Sequence, residues 1–514
     1  MNGSETSLPW LTILAALPIV GAVLLLALPR RGALVKQVAL AVSLVALGIS
    51  IGIALQYDTG GGFQFVEEHD WIRAFGVHYA LGVDGLGLLL VLLTTILTPV
   101  VILASWNDAD DARWSVNAFF ALMLSLEGLS VGVFAATDVF LFYVLFEATL
   151  IPIYFLIGGF GGPQRSYAAV KFLLYSLLGG LLMLASVVGL YVVSSRTAGG
   201  PSYLLQDLMN TGMSQNTGRW LFLGFFVAFA VKAPMWPVHT WLPDAASEAT
   251  PGTSVLLVSV LDKIGTFGMM RFCLGLFPEA SRWASPVVMT LAVISVIYGA
   301  LLAIGQNDIR RLIAYTSVSH FGFIVLGIFA LTSTSQAGSA LYMFNHGIST
   351  AALFLVTGFL ISRRGSKMIG DFGGVEKVAP ILAGTFLLAG LSSLSLPGLS
   401  PFVSEFLVLA GTFSTSITAA VIATLGIVLA ALYILLAYQR TMTGPVREST
   451  RHMRDLNLRE ISALAPLLVL IVILGFFPKP ALDAVNPTVS SLLDRVHVSD
   501  PAPTVATNPE GASR

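Results

Sequence analysis

Apolar runs long enough to cross about 30 Å of hydrocarbon recur along the whole chain, and no single soluble core could absorb them all. Roughly fourteen stretches of about 20 residues qualify. They cover 8–28, 35–55, 83–104, 117–135, 138–158, 171–193, 219–239, 254–276, 284–304, 311–331, 338–361, 380–410, 414–438 and 461–478. Of 514 residues 56% are hydrophobic and only 11% charged, too few charges to coat a soluble surface of this size. The expected fold class is an all-α polytopic membrane protein, because a helix pairs its own backbone groups where no water can. The opening MNGSETSLPW lacks a basic leader region, so the first run is expected to be a retained span.

Lysines and arginines orient the spans. With the N-terminus outside, the inner loops receive Arg30, Arg31, Lys36, Arg310, Arg311, Arg363, Arg364, Lys367 and the basic cluster from Arg440 to Arg459. The outer loops hold chiefly Arg73, Arg196, Arg219 and Arg282, so both termini are expected outside. Three segments fall outside the spans. Residues 56–82 contain FQFVEEHDWI, whose partial alternation suggests a short outer hairpin. Residues 240–253, TWLPDAASEATPGT, suggest an amphipathic connection on the inner face, with Asp244 and Glu248 solvated or capping a short helix. A tail follows over 481–514, expected to be disordered from about Ser499 because it is rich in Pro, Ala and Thr.

A charge inside a span costs a few kcal/mol unless paired or wetted, so the few that occur are informative. They are Glu147 in span five, Lys232 in span seven, Asp262 and Lys263 in span eight, and Glu405 in span twelve, with His320 and His346 in spans ten and eleven. Each has a plain structural alternative: a histidine can simply bond between helices, and Glu147 with Lys232 can form a static pair. Their number in one chain favours a proton or ion path. Proline adds an independent signal. Pro234 and Pro237 stand beside Lys232, and Pro397 and Pro401 precede Glu405, so spans seven and twelve should both be interrupted at a charge. Those spans are five apart and cross in opposite directions, as two inverted five-helix repeats would produce, over 117–276 (spans 4–8) and 284–438 (spans 9–13) within one membrane domain, 1–480.

Several classes are excluded. A net charge of −1 without a basic stripe does not suit nucleic acid. The single cysteine, Cys273, rules out an internal disulfide or a cysteine-held metal cluster. The chain has no Rossmann fingerprint, Walker A loop or HExxH, and the glycine clusters at 158–162 and 265–268 have no phosphate context. No cofactor or metal is expected to bind this chain.

The segment VKAPMWPVHTWLPDAASEATPG resembles the most characteristic stretch of the antiporter-like subunits of respiratory complex I, the NADH–quinone oxidoreductase, and of Mrp-type Na⁺/H⁺ antiporters. YALGVDGLGLLLVLLTTILTPVVILAS, FEATLIPIYFLIGGFGG, QNDIRRLIAYTSVSHFGF and FNHGISTAALFLVTG are similar to that family in order and spacing, so the resemblance covers nearly the whole chain. FYVLFEATLIPIYFLIG and the acidic residue of span twelve are most similar to its M branch, called subunit 4 in mitochondria. The resemblance implies that Glu147 and Lys232 form the pair of a first half-channel, Lys263 the link to the centre, His320 and His346 a relay, and Glu405 the terminal group of a second half-channel. It also implies an inner-opening role for His239, and for Lys171 a role for which snorkelling is an equal alternative. It further implies a multi-pass subunit of the bacterial inner membrane beside the antiporter-like subunits L and N, with FMN, iron–sulfur clusters and quinone in partner subunits. Burial destabilises a lysine's charge and a nearby carboxylate restores it, so proton transfer would be coupled electrostatically from pair to pair. An Mrp-type antiporter subunit, a stand-alone secondary transporter and a structural scaffold remain as alternatives. The solute transporter would need a substrate site among groups that are all of the proton-binding type.

Overall fold

The computed structural model describes residues 8–500 except 30, 31, 111 and 198. The chain opens with α1 (Trp10–Ala27) and α2 (Gly32–Gln56), then a hairpin of β1 (Gln64–Ile72) and β2 (Val77–Val83). Next come α3 (Gly85–Ala104), α4 (Val116–Ala135), α5 (Val139–Ala148), α6 (Leu150–Phe160), α7 (Arg165–Ser194) and the short α8 (Leu205–Met209). An interrupted pair follows, α9 (Gln215–Lys232) and α10 (Trp241–Glu248). After it, α11 (Pro251–Val255) and α12 (Lys263–Gly268) form one continuous rod with the π-helical turns Leu256–Leu261 and Met269–Leu274. Then come α13 (Pro278–Ile304), α14 (Ile309–Phe329) and α15 (Ser333–Arg364), a second interrupted pair α16 (Pro380–Ser393) and α17 (Ser400–Thr415), and α18 (Ile417–Met442), α19 (Leu458–Phe476) and α20 (Lys479–Val496).

Among the described residues twelve helices are long and apolar enough to cross a membrane, counting α5 with α6 and the whole rod 251–274 as one each. The rod, α14 and α15 are almost wholly enclosed, whereas α2, α18 and α19 turn most of their surface outward. That outward surface is apolar, as in Leu174, Leu178 and Leu181 on α7 and Val421, Leu425 and Val428 on α18, which suits lipid as the surrounding solvent.

Local chemistry sets the helix ends. Asp84, Ser115, Asp138 and Asp308 accept from first-turn amides of α3, α4, α5 and α14. Thr332 with Ser335 and Asn457 with Glu460 form reciprocal caps on α15 and α19. The interruption after Lys232 falls where Pro234 and Pro237 remove backbone donors, and the one before α17 falls at Pro397, with Ser395 and Gly398 in left-handed backbone (φ 60° and 91°). Both interruptions agree with the proline reading.

The hairpin also agrees, with antiparallel pairs such as Glu67–Leu81 and His69–Tyr79. It closes the first turn of α1, because Glu67 accepts from the Leu11 amide (2.7 Å) and the Thr12 hydroxyl (2.5 Å). The start of α1 and the helix α20 both sit at the hairpin's end of the bundle, the hairpin face.

The structure departs from the sequence expectation in four places. Span five is interrupted at Thr149: Pro152 cannot donate to the carbonyl four residues back, that of Ala148, and the Thr149 hydroxyl turns back to Phe146 O (2.7 Å). Residues 240–253 are not a surface connection: Trp241, Leu242, Ala245 and Ala246 are fully buried, and Trp241 Nε1 donates to Val231 O across the break (3.0 Å). Span eight contains two widened turns that periodicity alone does not signal. The expected tail carries α20, and most of the segment expected to be disordered, like Arg30 and Arg31, lies outside the described residues. Asp500 is described, and it accepts from the Ser333 amide (2.8 Å).

A candidate proton path of buried ionisable side chains

Glu147, in the last turn of α5, holds its carboxylate over Gly180 of α7, where any Cβ would collide with it. A side chain there would have to push the carboxylate aside. Lys232 is the last residue of α9 and is buried, with Nζ 4.7 Å from the centre of the Phe146 ring. Lys232 Nζ and Glu147 Oε1 have no hydrogen-bond partner, so the two groups feel each other's charge without touching. Asp262, the next carboxylate to act on Lys232, is fully buried with both oxygens unpartnered.

The rod 251–274 approaches this break closely because Gly265 and Gly268 lie against Ala233 and Phe229, which explains one of the glycine clusters. Lys263 turns the other way. Its Nζ donates to Val258 O (2.9 Å) in the widened turn and lies 2.6 Å from His346 Nδ1 and 4.5 Å from the Phe321 ring centre. The rings of His346 and His320 stand 5.3 Å apart. His320 Nδ1 lies 2.8 Å from the Tyr342 hydroxyl, which donates to Glu405 Oε2 (3.2 Å). The hydroxyl of Ser395, in the second interruption, also bonds Glu405 Oε2.

Lys263, His346, His320 and Glu405 are therefore brought into one line, with Tyr342 as a member the sequence reading lacks. Glu147, Lys232 and Asp262 form a separate, loosely connected group. His239 is buried, with its ring against Tyr298 and Tyr315 (5.2 and 6.5 Å) and Nδ1 unpartnered. Lys171 does not merely snorkel: its Nζ pairs with Asp244 (2.6 Å), which also pairs with Arg311 (2.6 Å). Beside them Lys367 pairs with Glu248 (3.0 Å) and Asp308 (3.1 Å). These bridges tie α7 and α10 to α14 at the end of the bundle opposite the hairpin.

Further buried charges escaped the sequence reading, two of them well inside apolar runs. Glu127 of α4 is 1% exposed with both carboxylate oxygens unpartnered. Arg271, in the second widened turn, makes a two-pronged contact with Asp84 (2.7 and 2.5 Å) and lies over Phe63 and Phe267. Both occur inside apolar runs, LSLEGLSV and GMMRFCLG, so the criterion that finds Glu147 also finds them. Among the described residues no cluster of His, Cys, Asp or Glu could hold a metal ion.

The family described as NADH:quinone oxidoreductase/Mrp antiporter, TM, matches residues 136–430. NADH-quinone oxidoreductase subunit M of Mycobacterium tuberculosis (strain H37Rv) is 51% identical over 97% of each chain. NADH-ubiquinone oxidoreductase chain 4 of Arabidopsis thaliana is 38% identical over 93% of this chain and 95% of that one. A chain of respiratory complex I from Thermus thermophilus superposes with a TM-score of 0.86 at 32% identity, covering 95% of this chain and 99% of that one. A chain of the Mrp complex from Dietzia sp. DQ12-45-1b gives a TM-score of 0.85 at 21% identity, over 95% and 98% of the two chains, a likeness of fold alone.

Proposed function

Because the chain belongs to the NADH:quinone oxidoreductase/Mrp antiporter family of membrane subunits, we propose that it is the M-type proton-translocating subunit of a complex I, NADH–quinone oxidoreductase. It moves protons while partner subunits oxidise NADH and reduce quinone. The observation that carries this reading is the line from Lys263 through His346 and His320 to Glu405, four ionisable groups enclosed among apolar helices. Burying such groups is costly, and their chemistry is that of proton exchange.

In this reading Glu147 and Lys232 form the first half-channel, with Asp262 modulating Lys232. Lys263 joins them to the relay of His346 and His320, and Glu405 is the terminal group. His239 and Lys171 serve the inner opening. The two interrupted helices, added to the twelve continuous ones, make fourteen crossings, with inverted repeats over 117–276 and 284–438 inside one domain of 1–480. The hairpin face is the outer side of a bacterial inner membrane, so both termini are outside, which agrees with the basic inner loops. Subunits L and N are the neighbours, and FMN, iron–sulfur clusters and quinone belong to the partners.

Purification under mild detergent tests the assignment. The chain is expected in a large assembly with NADH:quinone activity, flavin and iron–sulfur absorbance. Recovery only in a cofactor-free assembly that exchanges Na⁺ for H⁺ would instead support the Mrp reading.

The histidines have their own test. Replacing both His320 and His346 is expected to lower pumping by about tenfold or more, beyond either single replacement, because one gap can be bridged by water and two cannot. Wild-type pumping by an assembled double variant would remove the relay from the path.

A further inference from the structure

We propose that the Tyr342 hydroxyl is itself a proton carrier between His320 and Glu405, an inference that rests on the proton-path reading above. The hydrogen-bond directions support it. Lys263 donates toward His346 Nδ1, which leaves the proton of that neutral ring on Nε2, a nitrogen with no partner of its own. Tyr342 donates to Glu405, so its oxygen accepts from His320 Nδ1, and His320 Nε2 is left as the acceptor, 3.4 Å from the Ser393 hydroxyl. Lys263 to His346, His320 to Tyr342 and Tyr342 to Glu405 therefore all donate in the same sense along the line. The one step without a direct contact is between the two rings.

The transfer balances without an oxidant. The Tyr342 O–H bond breaks as its proton passes to the Glu405 carboxylate, the phenol oxygen takes the Nδ1 proton of His320, and His320 Nε2 takes the Nε2 proton of His346, whose Nδ1 is refilled by the Lys263 ammonium. One proton has then moved from Lys263 to the Glu405 carboxylate, and both rings and Tyr342 are neutral again.

The fold holds the phenol where this requires. Tyr342 precedes His346 by one turn of α15, so both project from the same face. It is fully buried, and Asn345 beside it clamps α15 to α17 through Ser400 O (2.8 Å). Ser395, in left-handed backbone at the interruption, fixes the same Glu405 oxygen that Tyr342 contacts. A bond made only for packing needs none of this directional order.

The experiment uses the whole complex in proteoliposomes and follows proton uptake and NADH oxidation per assembled complex. Tyr342→Phe keeps the ring, removes the carrier and leaves no room for water, so pumping is expected to fall at least about tenfold. Tyr342→Ser leaves space for water bounded by His320, Ser395 and Glu405, and is expected to pump several-fold faster than Tyr342→Phe. A structural tyrosine predicts the reverse order, since the serine variant leaves the larger cavity. Wild-type pumping by Tyr342→Phe, or a serine variant slower than the phenylalanine one, overturns the proposal. Glu405→Gln is run alongside. If it stalls while Tyr342→Phe does not, only the role of Tyr342 fails, whereas wild-type pumping by Glu405→Gln removes the path beneath it. Should Tyr342→Phe not assemble, 3-fluorotyrosine at position 342 decides. Its more acidic phenol changes the pumping rate if the O–H bond breaks, and an unchanged rate overturns the proposal.

Discussion

In membranes carrying Glu147→Gln, NADH oxidation and proton uptake are expected to fall together by at least about tenfold while the complex assembles at the wild-type level. Glutamine occupies the space over Gly180 as glutamate does, so packing is preserved and only the charge is lost. Lys232 is buried without a hydrogen-bond partner, and Glu147 supplies part of the field it sits in. With that part gone, Lys232 no longer gains and loses its proton in step with the rest of the cycle. Lys232→Ala should behave like Glu147→Gln. Lys232→Arg should also fail, because a guanidinium keeps its proton at any working pH. Glu147→Asp should retain part of the rate, since the charge survives one methylene further back and water can span the gap. An assembled Glu147→Gln enzyme that oxidises NADH and pumps at the wild-type rate would reduce the pair to a structural one.

The largest effect on assembly is expected at Arg271. Asp84 is enclosed and receives both prongs of Arg271, the Gly87 amide (2.9 Å) and the Thr488 hydroxyl (3.0 Å), so three elements, the second widened turn, α3 and α20, meet on one carboxylate. Arg271→Met leaves that carboxylate buried without its counter-charge, at a cost of about 3–5 kcal/mol. The amount of assembled complex and its thermal midpoint should both drop sharply. Adding Asp84→Asn removes the stranded charge, keeps an acceptor for the Gly87 amide and turns an NH2 toward the Thr488 hydroxyl, which can accept from it, and should recover much of the loss. A single Arg271→Met variant with an unchanged midpoint would mean that water reaches Asp84 and that the pair holds nothing together.

The sequence discloses charge in hydrocarbon and proline beside it, because both are rare and costly there. Glu147, Lys232, Lys263 and Glu405, and the interruptions after Lys232 and before α17, are legible for that reason. Contacts between helices are less so. Tyr342 in SALYMFNHG reads as an ordinary core aromatic, and only the arrival of Glu405 and His320 from two other helices makes its hydroxyl significant. The burial of α10 is hidden similarly: its polar residues suggest a wet surface, yet Asp244 and Glu248 find partners on α7, α14 and the loop after α15. Glu127 shows a different shortfall, since its position alone qualifies it and no neighbour was needed to notice it.

Thr488 reaches Asp84 across 404 residues of sequence, which bears on how the molecule is made. At about 5–20 residues per second, the ribosome delivers Thr488 roughly 20–80 s after Asp84. Throughout that interval the nascent bundle has its hairpin and third helix without α20 against them, and the aspartate gains its fourth bond only when α20 emerges. Closure of that end therefore waits for α20, and a chain stalled before it leaves the Asp84 carboxylate held by Arg271 and Gly87 alone.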